Sequence, residues 1–277
     1  MRALARDHKS VITAGPEPRP KRSRWFDMSN AQPLSQRLVR SAARAARFAR
    51  DELGLVVALG VVAGGVAIFA ELADDLVEGE NQSFDEAVLA WTRPHADPTD
   101  AIGPAWLNEA MMDITALGGL AVLVLFALIV VGFLLMQKKP WSALMLSLSL
   151  AGGLLLSETM KGLFERGRPP AEFQLVETVN ASFPSGHTLM STVFYLTLGV
   201  MLERVLVRRR TKVYVISVAV LIALLVGISR IYLAAHWTSD VLAGWSLGAA
   251  WAMVCWLAAY WVQRRWARRG VAIDELV

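Results

Sequence analysis

The sequence contains few of the residues that soluble or disulfide-stabilised proteins depend on. Only 19% of its 277 residues are charged and 55% are hydrophobic, whereas a soluble domain carries about 25% charged residues. This composition argues against a soluble globular protein and excludes a disordered chain. The single cysteine, Cys255, excludes an intrachain disulfide and a cysteine metal cluster. The first 30 residues lack the apolar segment of a signal peptide, so we expect the first hydrophobic span to be an uncleaved anchor.

Long hydrophobic runs occupy most of the remaining chain. A run of about 18 or more apolar residues can cross the ~30 Å hydrocarbon core of a bilayer, and it does so as a helix. We therefore predict an all-α integral membrane bundle of six transmembrane helices. Short interfacial helices are expected between the first two spans, where Phe84, Val88 and Trp91 follow a helical spacing. The predicted spans are Leu53–Ala70, Ile114–Met136, Pro140–Met160, Pro184–Val207, Val213–Ala234 and Val241–Gln263.

The basic residues are distributed asymmetrically around these spans. Six spans place 23 of the lysines and arginines on one side of the membrane and five on the other. Because cytoplasmic loops are enriched in Lys and Arg, both termini are predicted to be cytoplasmic. The predicted organisation is a basic N-terminal tail (1–50), a six-helix membrane domain (51–265) and a C-terminal tail (266–277).

Residues 34–50 of the tail are predicted to form a helix with arginines along one face. One interpretation is an interfacial helix attracted to anionic membrane lipids. The other is that these charges only set the topology. The arginines concerned are Arg37, Arg40, Arg44 and Arg47.

Three short polar segments stand at the ends of predicted spans, all on the side that is poor in basic residues. The first is Lys161-Gly-Leu-Phe-Glu-Arg-Gly-Arg168-Pro169, the second runs from Ser182 to His187, and the third runs from Ser229-Arg230 to His236 and Asp240. Charged residues inside a membrane are costly and usually functional. The predicted topology gathers these segments at one level and therefore around one pocket.

The basic members of the cluster suit a phosphate group. Lys161, Arg168 and Arg230 form a set of fixed cations, and arginine donates in a fork that matches phosphate oxygens. Pro184–His187 opens a helix, whose first amides and dipole attract an anion. Gly186 lets the backbone approach closely. These features predict a phosphate-binding site.

The two histidines suit phosphoryl transfer. His236 and Asp240 are four residues apart and can meet on one helical face, so the carboxylate can orient the ring while the other nitrogen attacks phosphorus. His187 can protonate the leaving oxygen. A His-x-x-x-Asp pair is also half of a possible metal site. The surrounding cations disfavour a divalent metal, and we expect neither a metal nor another cofactor.

Together the three segments resemble the type 2 phosphatidic acid phosphatase superfamily of membrane lipid phosphatases. Each position of that family's three motifs is matched, and the resemblance extends over the six spans. It implies that His236 is a nucleophile that forms a phosphohistidine, that Asp240 orients it, and that His187 acts first as acid and then as base. It also implies that the phosphate is held by Lys161, Arg168, Ser185, Gly186 and Arg230. The family mechanism needs no metal.

The resemblance makes a lipid phosphatase of a bacterial-type inner membrane, active on the outer face, the leading hypothesis. Undecaprenyl diphosphate, phosphatidylglycerophosphate and phosphatidic acid are the expected substrates, and no nucleic acid partner is expected. A lipid phosphotransferase and a phosphate or anion transporter are the alternatives, and the oligomeric state is left open. Arg166 lies outside the motifs and is interpreted as a solvated loop residue, the alternative being contact with a second phosphate or a headgroup. Glu158 and Glu165 are candidate ion-pair partners of Lys161 or Arg166.

Overall fold

The computed structural model describes residues 34–176, 178 and 180–269, and of residues 34–52 and 204 it describes only the backbone. Contacts divide the chain into two units, Met1–Arg50 and Asp51–Val277. Every regular element in the described part is helical, so the predicted all-α class is confirmed there. The helices are α1 (Leu34–Glu78), α2 (Gln82–Thr92), α3 (Ala105–Ala116), α4 (Leu120–Met136), α5 (Pro140–Phe164), a 3₁₀ turn (Ala171–Phe173), α6 (Gly186–Val205), α7 (Arg209–Tyr232) and α8 (Thr238–Arg268).

Helix α6 lies at the centre of the bundle. It packs against α5, α7 and α8, and Leu189, Val193 and Phe194 on it are almost completely buried. Thr188, Ser191 and Thr192 on it are also buried, and the Thr192 hydroxyl donates to the Thr188 carbonyl at 2.7 Å. Because its neighbours shield α6 from lipid, it can carry polar residues that a lipid-facing helix could not.

Four described helices are long and apolar enough to cross a membrane, and α3 with α4 makes a fifth if that bent pair is one span. The four are α1 from Leu53, α5, α7 and α8. The predicted fourth span corresponds to α6, whose 20 residues are about 30 Å long but whose buried polar residues lower its hydropathy. The count of six spans therefore stays a prediction.

The predicted span Ile114–Met136 is wrong as a single helix. The structure breaks it into α3 and α4, which are bent by 47°. At the break, a Cβ on Gly118 would lie 2.4 Å from Val226 Cγ1 and 3.1 Å from the His187 carbonyl oxygen. The backbone thus passes too close to α6 and α7 for any side chain, and the glycines that permit this approach also interrupt the helix.

The predicted short helices between the first two spans are present as α2 and α3. Trp91 and Trp106 on them are 68% and 66% exposed, as expected for helices with an unburied apolar face. Residues 34–50 are helical, as predicted. The proline-containing segment 11–33, the arginine side chains of 37–47 and the last residues, 270–277, lie outside the described part of the chain.

Candidate active site

His236 and Asp240 form a buried pair at one end of the bundle. His236 lies in the loop between α7 and α8, and Asp240 lies in the first turn of α8. His236 Nδ1 is 3.5 Å from Asp240 Oδ2, and the two residues are 3% and 0% exposed. The structure thus brings together the predicted histidine and carboxylate, but not on one helical face, because α8 begins only at Thr238 and His236 lies in the preceding loop.

The Asp240 carboxylate has a full set of partners. Its Oδ1 accepts a hydrogen bond from Arg166 at 2.6 Å, and its Oδ2 accepts one from the backbone N–H of Trp237 at 2.9 Å. The Ser182 hydroxyl also donates to Oδ2. These bonds fix the orientation of the carboxylate that faces His236.

The second ring nitrogen of His236 faces Arg168. The Nη1 atom of Arg168 lies 3.1 Å from His236 Nε2, and the same guanidinium donates to the carbonyls of Ala235 and Asn180 at 2.6 Å. Arginine has no acceptor, so Nε2 must present a lone pair and the ring proton must be on Nδ1, toward Asp240. This tautomer leaves the ring lone pair on Nε2.

The start of α6 joins the same site. Ser185 is the N-cap, and its Oγ accepts bonds from the Thr188 backbone N–H at 3.5 Å and from the Thr188 hydroxyl at 2.9 Å. Its own N–H donates to the Asp240 carbonyl at 3.0 Å. The Ser185 oxygen therefore serves the helix cap, and its proton remains a possible donor to a ligand. His187 and Gly186 follow directly, in the turn whose amides have no partner within the helix.

A space bounded by donors lies before these amides. A Cβ on Gly186 would be 3.1 Å from Lys161 Nζ and 3.5 Å from Ser157 Oγ. Lys161 Nζ is paired with Glu158 at 2.9 Å, so that predicted pairing is confirmed. Ser157 Oγ is buried and has no hydrogen-bond partner within the described structure. Glycine keeps this space open, as a site for a phosphate oxygen requires.

Arg230 approaches from α7 and is 3% exposed. One of its Nη atoms donates to Thr115 Oγ1 at 3.0 Å, while its Nε is buried without a partner among the described residues. The His187 ring interacts electrostatically with Arg230, Lys161 and Arg168 and with His236. The predicted cations and both histidines therefore converge on one region.

Burial sets the ionisation of the loop residues in the site. It lowers the pKa of His236 to about 4; Asp240 opposes this shift, and Arg230 and Arg168 add to it. Burial also lowers the pKa of the Arg168 guanidinium. His236 is consequently neutral at pH 7, the state in which a ring nitrogen can attack phosphorus.

The interpretation of Arg166 as a solvated residue is wrong. Its side chain is only 11% exposed and binds Asp240 and, at 2.7 Å, both Asp85 and Ser239. Its partner Asp85 comes from α2, 81 residues earlier, so no local spacing could reveal the pairing. Sequence reasoning also missed Ser239 and gave no role to Ser182; both stand within or beside the polar segments.

The described residues contain no group of three His, Cys, Asp or Glu side chains that could hold a metal ion. The pair His236–Asp240, considered from the sequence as half of a metal site, is surrounded by arginines. Within the pair, His236 Nδ1 and Asp240 Oδ2 face each other at 3.5 Å.

Comparison with known proteins agrees with this geometry. A family model described as the PAP2 superfamily matches residues 142–265. The chain is 36% identical over 170 residues to phosphatidylglycerophosphatase B of Bacillus subtilis (strain 168), which covers 60% of this chain and 79% of that protein. It also resembles the crystal structure of a transmembrane PAP2-type phosphatidylglycerolphosphate phosphatase from Bacillus subtilis, with a TM-score of 0.65 and 32% identity over 71% of this chain and 96% of that one.

The helical membrane fold and these relatives define the class of protein: an integral membrane lipid phosphatase, which is a phosphoric ester hydrolase. The chain belongs to the PAP2 superfamily. The matched range includes every residue predicted to bind phosphate or to take part in catalysis. Asp85 lies outside it.

Proposed function

We propose that the protein hydrolyses the terminal phosphate of a membrane lipid through a phosphohistidine on His236, without a metal. The observation that supports this most directly is that the two ring nitrogens of His236 face different groups. Its Nδ1 is backed by Asp240 at 3.5 Å, and its Nε2 points toward the cationic side of the site, 3.1 Å from Arg168. A nucleophilic histidine needs a partner on one ring nitrogen and a lone pair on the other. The bond from Arg168 to that lone pair must give way when phosphate binds.

In the first step, His236 Nε2 attacks phosphorus and the bond from phosphorus to the lipid oxygen breaks. His187 gives its proton to that oxygen, which leaves as an alcohol from a lipid monophosphate or as a lipid monophosphate from a lipid diphosphate. Asp240 stabilises the positive charge that develops on the ring. Lys161, Arg168, Arg230, Ser185 and the Gly186 amide hold the phosphate oxygens and stabilise the charge on them.

In the second step, water attacks the phosphohistidine. His187 now accepts a proton from the water, the P–N bond breaks, and inorganic phosphate leaves. His236 returns to its neutral form, so the cycle consumes only lipid phosphate and water.

We propose phosphatidylglycerophosphate as the first substrate to test, because the two Bacillus subtilis relatives are named for it. Phosphatidic acid and undecaprenyl diphosphate present the same terminal phosphate and follow next. A lipid substrate suits a site at the end of a bundle whose helices expose large apolar side chains, among them Leu155 and Leu163 of α5.

We propose that the site faces the periplasmic or outer side and that both termini are cytoplasmic. All five basic residues of the predicted outer side are engaged by the fold or the site. Arg93 donates to the carbonyls of Thr92, Pro98, Phe173 and Tyr232 at 3.0–3.1 Å, and the other four are Lys161, Arg166, Arg168 and Arg230. This side thus has no free basic loop charge in the described part of the chain, which the positive-inside rule associates with the outer face.

The test is phosphate release in detergent micelles with excess EDTA, from a panel of lipid monophosphates and diphosphates. Wild type is compared with His236→Ala and with Arg209→Gln, an exposed control at the opposite end of α7. We expect release in EDTA that His236→Ala abolishes and that Arg209→Gln leaves unchanged. Release that survives in folded His236→Ala would overturn the mechanism.

Two further outcomes distinguish the alternatives. If phosphate is released only when a second lipid or a sugar is added as acceptor, the protein is a phosphotransferase. If vesicle-reconstituted protein moves phosphate across the bilayer and His236→Ala does not affect the flux, the cationic site serves transport.

A further inference from the structure

Arg166 joins two buried carboxylates through the two arms of one guanidinium. One Nη atom is 2.6 Å from Asp240 Oδ1, and the other is 2.7 Å from Asp85 Oδ2. The side chains of Arg166, Asp240 and Asp85 are 11%, 0% and 1% exposed. Bonds of this charge-assisted, forked kind are short and directional, so they hold both carboxylates in place.

Ser239 closes this arrangement into a network. Its backbone N–H and its hydroxyl both donate to Asp85, at 2.9 and 2.5 Å, and its oxygen accepts from Arg166 at 2.7 Å. Ser239 directly precedes Asp240 in the first turn of α8. Asp85 therefore fixes the backbone that carries Asp240, while Arg166 fixes the carboxylate itself.

The network acts on the catalytic pair from behind. Asp240 uses Oδ1 for Arg166 and Oδ2 for the face toward His236, so the carboxylate separates Arg166 from the ring. Both arms of Arg166 are paired with carboxylates, whose charge would repel a phosphate. Arg166 is thus poorly placed to bind phosphate and well placed to orient Asp240.

The charges reinforce this role. Asp85, Arg166 and Asp240 together carry one net negative charge, which is the charge that can stabilise a positive His236 ring. Without Arg166, two buried carboxylates would lie around Ser239 with no cation between them, an arrangement that favours protonation of one of them. Replacing Asp85 by a neutral residue at the same time would remove that conflict.

We propose that Arg166 and Asp85 are positioning residues for the reaction, which keep the Asp240 carboxylate charged and turned toward His236 Nδ1. This inference rests on the proposed function, in which His236 is the nucleophile. It assigns a catalytic purpose to α2, a surface helix that lies outside the range matched by the family model.

The first test is kinetic and uses Arg166→Gln, Asp85→Asn and the double variant on the lipid phosphate that the wild type hydrolyses. Arg166→Gln should lower kcat roughly 10- to 100-fold, as loss of an outer partner does at other sites, while KM changes less than about threefold because Lys161, Arg168 and Arg230 are untouched. The double variant should recover part of the lost kcat, since it restores the net charge of the network. Arg209→Gln and Asp74→Asn, at exposed positions, are the matched controls.

Arg166→Lys provides a variant that keeps the charge but loses the fork. It should fold and should have a kcat between those of wild type and Arg166→Gln. A rise in KM with unchanged kcat in either Arg166 variant would overturn the proposal and make Arg166 a substrate-binding residue. Equal losses in Arg166→Gln and the double variant would also count against it, because a purely structural role predicts no rescue.

The second test does not depend on turnover. Nitrogen NMR of ¹⁵N-histidine-labelled protein in micelles, with His236 assigned through His236→Asn, reports which ring nitrogen carries the proton. We expect the Nδ1–H form in wild type and a loss of that preference in Arg166→Gln, with partial return in the double variant. An unchanged tautomer in Arg166→Gln overturns the positioning role even if the wild type releases no phosphate, so failure of this inference is distinguishable from failure of the proposed function.

Discussion

The two halves of the site differ in how completely their polar groups are paired. On the Asp240 side, both carboxylate oxygens are occupied, by Arg166, Ser182 and the Trp237 amide. On the side proposed to bind phosphate, Arg230 Nε and Ser157 Oγ are buried and have no partner within the described structure. One half is complete as it stands, and the other lacks the acceptors that its donors require.

This difference indicates what each half does. A buried donor without a partner costs free energy, about 1–3 kcal/mol for a neutral group, and proteins usually avoid it. An incoming phosphate would supply several acceptor oxygens to such donors at once. The complete half is therefore suited to orient a reacting group before substrate arrives, and the incomplete half is suited to be completed by the substrate.

The largest loss of kcat should follow from replacing Asp240, the residue on which the bonds of the complete half converge. Asp240→Asn replaces an acceptor of several bonds with an amide that must also donate, so His236 loses its tautomer and its charge partner. We expect kcat to fall roughly 10³- to 10⁴-fold, as for the equivalent change in a serine protease triad, while vanadate still binds. Steady-state kinetics and vanadate titration measure the two quantities.

The comparison for this change is Ser182→Ala, which removes one partner of Asp240 and a 3.4 Å contact with His236 Nδ1 but leaves Arg166 and the Trp237 amide. It should cost much less kcat than Asp240→Asn. A folded Asp240→Asn protein whose kcat stayed within about tenfold of wild type would mean that this half does not orient the nucleophile.

The next effect concerns the incomplete half and should appear in binding. Arg230→Gln removes the buried cation whose Nε lacks a partner, and a bond between a charged donor and its acceptor contributes about 1.5–3 kcal/mol. We expect KM for lipid phosphate and the Kd for vanadate to rise roughly 10- to 150-fold. Thr115→Val, which removes the hydroxyl that accepts from Arg230, should change both constants far less. If it raised KM and Kd as much as Arg230→Gln does, the effect would be assigned to a displacement of α7.

A smaller effect is expected at Ser157, where thermal stability and KM should respond differently to removal of the hydroxyl. Ser157→Ala deletes a buried hydroxyl without a partner, so thermal stability should stay equal or rise slightly while KM increases roughly 2- to 10-fold. Ser149 is the matched control on α5, because its buried hydroxyl is bonded to Thr197 at 3.1 Å. Ser149→Ala should lower Tm and leave KM unchanged. A lower Tm for Ser157→Ala, with KM unchanged, would show that its hydroxyl is structural.

The sequence predicts the incomplete half better than the complete one. Lys161, Arg168 and Arg230 are recognisable because charges at the ends of apolar spans are costly and usually functional, and Gly186 is recognisable because it opens a helix beside them. The network behind Asp240 depends on Asp85, one acidic residue among several in a loop, and on a contact across 81 positions. Only the fold shows which of those carboxylates is buried, and the same holds for Arg166.

The membrane spans show the same limit. Five of the six predictions coincide with helices or with a bent pair that hydropathy can recognise. The break between α3 and α4 depends on how closely Gly118 approaches Val226. The hydropathy of a single segment carries no information about such a contact between helices. Similarly, α6 tolerates polar residues because α5, α7 and α8 surround it.

The smallest effect is a titration that connects the two halves. Burial, together with Arg230 and Arg168, lowers the pKa of His236 to about 4, although Asp240 opposes the shift. Phosphate bound to those arginines would offset their charge, so the pKa of His236 should rise when phosphate or vanadate is added. Histidine NMR against pH, with and without the anion, measures this change. A pKa of His236 that the anion leaves unchanged would mean that the two halves are not in electrostatic contact.

The same lowered pKa has a consequence for stability whose sign is fixed. An unfolded histidine takes up its proton near pH 6.5, whereas folded His236 does so near pH 4. Between these values the unfolded histidine binds more protons than the folded one, so the contribution of His236 to the free energy of unfolding falls as the pH is lowered from 6.5 to 4. His236→Asn cannot titrate and should lose less Tm than wild type over this range. Because bound phosphate is expected to raise the pKa of His236, it should also reduce the loss in wild type. It should do so only while Arg168 and Arg230 are present to hold the anion.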